Sequence, residues 1–129
     1  MQKTIKNLLE HSSLFLAIGF SVLIMVLSLV KLQRLPNFGT YEHSDKVKHL
    51  FAYSILSFFW LLSCQFGKVK VKSLHLILMI IGYGVIIEVL QSSLTTYRTG
   101  DLLDILANSM GILLGYVFLK LLNRIYLQV

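Results

Sequence analysis

The chain has 129 residues, 56% of them hydrophobic and 14% charged, with a formal net charge of +6 and a mean hydropathy of +0.74. A soluble domain carries about a quarter charged residues, and a chain this short cannot hide so many apolar side chains inside a globule. The composition therefore argues for an integral membrane protein and removes any need to explain the charge by nucleic acid, since basic residues in loops set membrane orientation.

The first apolar run is Ser13 to Val30, preceded by Lys3 and Lys6. It is longer than the core of a cleaved signal peptide, and no small-residue cleavage site follows, so it reads as a spanning helix. The single proline, Pro36, falls in the connection to the second run, Leu50 to Phe66. This helix extends back to about Asp45. A lone Cys64 lies within it, which rules out an internal disulfide and reads as a small hydrophobe. The third run is Ser73 to Leu94 and the fourth Leu102 to Leu122. Hydrocarbon leaves no partner for unpaired backbone, so the runs are helices rather than strands. The expected fold is an all-α, four-helix transmembrane bundle forming a single domain over 1–129. Its helices are placed at about 13–30, 45–66, 73–94 and 101–122.

Four spans put both termini on one side together with the loop carrying Lys68, Lys70 and Lys72. That side also holds Lys3, Lys6, Lys120 and Arg124. The other side holds Lys31, Arg34, Lys46, Lys48 and Arg98, diluted by Glu42, Asp45, Asp101 and Asp104. The excess predicts a multi-pass cell-membrane protein with cytoplasmic N- and C-termini.

Polar residues interrupt the apolar runs in a pattern. "DKVKHLFAY" places Asp45, His49 and Tyr53 at successive four-residue steps, one stripe of a helix. "EVLQ" places Glu88 and Gln91 three apart near the end of the third helix, and "DLLDILAN" places Asp101, Asp104 and Asn108 along the start of the fourth. At 1.5 Å per residue, His49 lies about 6 Å in from Asp45, Glu88 about 9 Å in from Leu94, and Asn108 about 10 Å in from Asp101. The connectivity brings all three stripes to the outer leaflet, where facing one another would make a polar pocket. Local readings compete: Asp45 as a dipole partner, Asp101 with Asp104 as a capping pair, Tyr53 as an interfacial aromatic, Asn108 as interhelical glue. Glu88 is the hardest to explain locally, because an ionised acid inside a span costs about 3 kcal/mol and such residues face an interior. Gly111 and Gly115 form a G-x-x-x-G pair suited to close helix packing, with Gly82 and Gly84 on the third helix as candidate partners.

In order, "DKVKHLFAY", "EVLQ" and "RTGDLLDILANSMGILLG" resemble the VanZ-like family over residues 45 to 115. The resemblance implies motif positions at Asp45, Lys46, His49, Tyr53, Glu88, Gln91, Arg98, Asp101, Asp104, Asn108, Gly111 and Gly115. It also implies a bacterial cell-envelope setting, the family being named for a membrane protein that lowers susceptibility to the glycopeptide teicoplanin.

The first function expected is binding of the polar head of a membrane lipid, a lipid-linked envelope molecule or a lipid-tailed antibiotic. Arg98, Lys46 and Lys48 would meet an anionic group. An intramembrane enzyme is the alternative, with His49 and a carboxylate as acid and base or carboxylates holding a divalent metal. No H-E-x-x-H spacing is present, so no metal and no cofactor is assigned. A proton-coupled carrier or accessory subunit, in which Glu88 and His49 titrate, is the third reading. A homo-oligomer stays open.

Overall fold

The computed structural model describes residues 1–30, 44–95 and 101–127. Four α-helices follow in order: α1 (Gln2–Leu29), α2 (Ser44–Gln65), α3 (Ser73–Leu94) and α4 (Leu102–Leu122), the last running into a π-helical turn, Asn123–Leu127. The described residues contain no strand. All four helices are long and apolar enough to cross a membrane, in keeping with the all-α transmembrane bundle expected from the apolar runs.

Three helices keep close to the predicted limits, and α1 does not. It starts at Gln2, about three turns before the apolar run begins at Ser13. Nothing in "QKTIKNLLEHSS" breaks a helix, and once nucleated by the apolar run, propagation costs little per residue. The polar segment therefore continues the rod beyond the hydrophobic stretch. At the other end of α2, Gly67 adopts φ 71°, a left-handed conformation that a side chain would strain. Its amide donates to the Cys64 carbonyl at 3.0 Å and the Lys68 amide donates to the Ser63 carbonyl at 2.9 Å, which closes the helix and reverses the chain toward α3.

The outside and inside of the bundle are inverted relative to a water-soluble fold. Phe15, Phe51, Leu78, Leu102, Val117 and Phe118 are exposed, while Ser13, Ser57, Ser63, Glu88, Gln91 and Asn108 are buried. In hydrocarbon there is no penalty for the exposed apolar ring, and buried polar groups find partners on neighbouring helices. The core between the helices still has apolar substance, formed by Ile24, Tyr53, Leu56, Leu61, Leu62, Leu76, Ile80, Ile112 and Leu119.

The most extensive pairing is between α2 and α4. The chain alternates direction at each span, so these two run parallel. Close packing comes from the α4 glycines. A Cβ on Gly111 would sit 2.3 Å from the Leu50 carbonyl oxygen, and one on Gly115 would sit 2.0 Å from Ser57 Oγ and 2.4 Å from the Ser54 carbonyl oxygen. The G-x-x-x-G pair thus packs on the backbone of α2. This corrects the expectation that it meets the α3 glycines. A Cβ on Gly82 would meet nothing within 4 Å, and Gly84 makes room for the Tyr53 ring and Asn108. Ser57 Oγ donates across the contact to the Ile112 carbonyl at 3.1 Å. At the far end, Gln65 and Asn123 exchange amide hydrogen bonds of 2.9 and 2.6 Å.

Candidate functional site

The start of α2, the end of α3 and the start of α4 meet at one end of the bundle. His49 is the centre. Its Nδ1 donates to Asn108 Oδ1 at 2.9 Å and lies 3.5 Å from Glu88 Oε1. Both acceptors are almost fully buried, with Glu88 and Asn108 each 2% exposed. Asp104 completes the group: one ligand-type atom from each of His49, Glu88 and Asp104 lies within 4.8 Å of the other two. Two carboxylates and an imidazole therefore share one small volume drawn from three helices, inside a part of the chain otherwise built for hydrocarbon.

Lys46 borders this group. Its Nζ lies 3.5 Å from Asp101 Oδ2 and 3.9 Å from Asp104 Oδ1. Asp101 also caps α4, its side chain accepting from the Leu103 amide at 3.1 Å. The capping explanation thus holds for Asp101 without excluding its second contact. Deeper in, Tyr53 is 1% exposed and its ring lies against Gly84. Among the described residues, the Tyr53 hydroxyl and Asn108 Nδ2 are buried without a hydrogen-bond partner, an expensive arrangement for donors in an apolar interior.

Two of the residues that the spacing placed on these stripes lie elsewhere. Asp45 is exposed and pairs with Lys48 at 3.5 Å. Each four-residue step advances about 40° past a full turn, so with His49 and Tyr53 facing inward Asp45 has drifted off the face. Lys46, three residues before His49 and seven before Tyr53, occupies the inward position in its place. Gln91 is buried, but its Nε2 donates to the Ser28 carbonyl at 3.0 Å, so it fastens α3 to α1 and does not meet His49. Arg98 lies outside the described residues.

Other polar contacts carry no motif. Trp60 Nε1 donates to Ser21 Oγ at 3.0 Å, and the Tyr83 hydroxyl donates to the Ser21 carbonyl. Together they tie α2 and α3 to α1. Serine in an apolar run was the available signal, and it is weak, because serine also satisfies itself on its own helix, as Ser54 does on Leu50.

No curated protein and no solved structure matches the chain. The family comparison does find a match, over residues 3–123, which takes in all of the helices that build the His49, Glu88 and Asp104 cluster. On that match, which confirms the resemblance carried by the polar motifs, the chain belongs to the VanZ/LLP1 family.

Proposed function

We propose that the cluster at the start of α2 and α4 receives the polar head of a lipid or lipid-linked envelope molecule at the outer leaflet. The carrying observation is the gathering of His49, Glu88 and Asp104 beside Lys46, with two buried donors, Tyr53 Oη and Asn108 Nδ2, left over. Protein packing alone gives no reason to bury donors that lack a hydrogen-bond partner among the described residues; a ligand with acceptor oxygens does. Lys46 offers a cation to an anionic head, and the exposed apolar flanks of the helices suit an acyl or prenyl tail. Membership of the VanZ/LLP1 family supports a cell-envelope setting, and a lipid-tailed glycopeptide such as teicoplanin belongs to the same ligand chemistry.

The test is to purify the protein from membranes in mild detergent and identify retained lipids by mass spectrometry. A specific head-group class should copurify with the wild type and be lost from Glu88→Gln and Tyr53→Phe variants of normal elution behaviour. Equal lipid profiles across all three would refute the reading.

A second reading is an intramembrane hydrolytic or transfer enzyme acting on the same head group. One feature favours it. Asn108 and Glu88 both engage Nδ1 of His49, which orients the ring and leaves Nε2 without a hydrogen bond among the described residues. This is the arrangement a general base needs. Incubation with the retained lipid separates the two: a binder returns it intact, whereas an enzyme converts it.

A further inference from the structure

We propose that His49, Glu88 and Asp104 form a three-ligand site for a divalent transition-metal cation of the zinc or manganese kind. The ligand set is one imidazole and two carboxylates, a nitrogen and oxygen mixture that suits these ions. The geometry is close to what an ion needs. Two ligands about 2.1 Å from a common metal at a tetrahedral angle are about 3.4 Å apart; His49 Nδ1 and Glu88 Oε1 are 3.5 Å apart. Asp104 is within 4.8 Å of both, so a side-chain rotation of about an ångström brings its carboxylate into the same sphere. Two carboxylates with a neutral imidazole match the charge of a divalent ion.

A second, independent observation points to something bound there. Tyr53 and Asn108 are 1% and 2% exposed, and the Tyr53 hydroxyl and Asn108 Nδ2 have no hydrogen-bond partner among the described residues. Without the ion Asn108 Oδ1 accepts from His49 Nδ1; a metal takes the lone pair of that nitrogen instead, with the ring proton on Nε2, and the Asn108 amide is released. Tyr53 and Asn108 stand one helical turn beyond His49 and Asp104 on α2 and α4, and donors at that step suit oxygen atoms in the open positions of a three-ligand metal, whether of water or of a head group. Such partners around a metal orient its ligands and tune its affinity. Without the ion, Lys46 holds the Asp104 carboxylate at 3.9 Å. With it, Lys46 keeps its nearer partner Asp101 at 3.5 Å, so the lysine and the metal compete for one of the three ligands.

The inference uses the same cluster as the lipid reading but does not need a lipid. The experiment therefore reads metal and lipid content separately. Tag-free protein in detergent is stripped with a chelator and titrated calorimetrically with Zn²⁺ or Mn²⁺ alone, with Mg²⁺ and Ca²⁺ as comparison ions. The wild type should take up one Zn²⁺ or Mn²⁺ per chain. Asp104→Asn, at the rim of the site, should weaken binding about tenfold or more, and His49→Ala should do the same. Lys46→Met should tighten binding several-fold by removing the competing cation, an effect that loss of folding cannot mimic. Absence of stoichiometric uptake by the wild type overturns the proposal. So does an Asp104→Asn variant of normal elution and melting that binds the ion as tightly as the wild type. Lipid retained without metal would leave the head-group reading standing alone; metal bound without any specific lipid would do the reverse.

Discussion

His49 and Asn108 are hydrogen-bonded across 59 positions of sequence, and that offset is close to a register for the whole α2 and α4 pair. Ser57 bonds to the Ile112 carbonyl 55 positions on, and Gln65 to Asn123 58 positions on. Parallel helices advance together at 1.5 Å per residue, so a near-constant offset is what a straight, parallel pair requires. The polar contacts stand at the start, the middle and the end of α2, and the glycines on α4 between them set how closely the backbones approach.

The register is testable by cross-linking. Adding 58 to Leu61 gives Leu119, and both residues lie in the bundle core. In a Cys64→Ala background, Leu61→Cys with Leu119→Cys should cross-link efficiently with a thiol-bridging reagent in membranes. Leu61→Cys with Val117→Cys should not, because Val117 faces outward. Equal yields from the two pairs would contradict the parallel register.

The glycines give a contrast within one bundle. Gly111→Ala should destabilise by about 1–3 kcal/mol, the range for overpacking, since its Cβ would lie 2.3 Å from backbone oxygen of Leu50. Gly82→Ala should be neutral or stabilising, because its Cβ meets nothing within 4 Å and alanine is the better helix former by about 1 kcal/mol. Thermal melts in detergent of both variants check the difference in sign.

Asn108→Ala removes an interhelical hydrogen bond and one unsatisfied donor together. Bonds of this kind in membrane proteins average about 0.6 kcal/mol and reach about 1.7 kcal/mol, so a small loss of melting temperature is expected with the fold retained. A collapse of the fold on Asn108→Ala would show that the His49 contact carries far more of the helix packing than this.

These residues also mark how far sequence reasoning reached. The four spans were legible because lipid imposes length and apolarity on each helix separately. The meeting of His49, Glu88 and Asn108 was legible too, since connectivity fixes leaflet and depth. Rotation about the helix axis was not. It decided that Lys46 faces inward and Asp45 outward, that Gln91 meets Ser28, and that Gly111 and Gly115 meet α2 rather than Gly82. Each depends on tertiary packing that a stripe of spacing leaves undetermined within about one residue. The start of α1 was missed for another reason, namely that a helix does not stop where its hydrophobicity does.

The excess of lysine and arginine on the side of the termini predicts that Lys68, Lys70 and Lys72 are cytoplasmic. In the Cys64→Ala background, Lys70→Cys should resist an impermeant thiol reagent in intact cells, and Thr40→Cys should react. The opposite pattern would invert the bundle and move the His49 cluster to the inner leaflet.

Glu88 separates packing from function. It is 2% exposed and 3.5 Å from His49, and an ionised acid in a span costs about 3 kcal/mol to insert. Glu88→Gln keeps the shape of the side chain and deletes its charge. If Glu88 serves chiefly to lock helices, the substitution should lower the melting temperature while the folded fraction still retains lipid and metal. If it serves the cluster, the charge itself is what matters. Melting should then stay near the wild type while metal uptake falls with head-group retention. The second outcome is expected, because the carboxylate approaches an imidazole and a second acid drawn from two other helices. Melting and ligand content measured on the same Glu88→Gln sample decide between them: a destabilised variant whose folded fraction keeps its ligands would return Glu88 to a packing role.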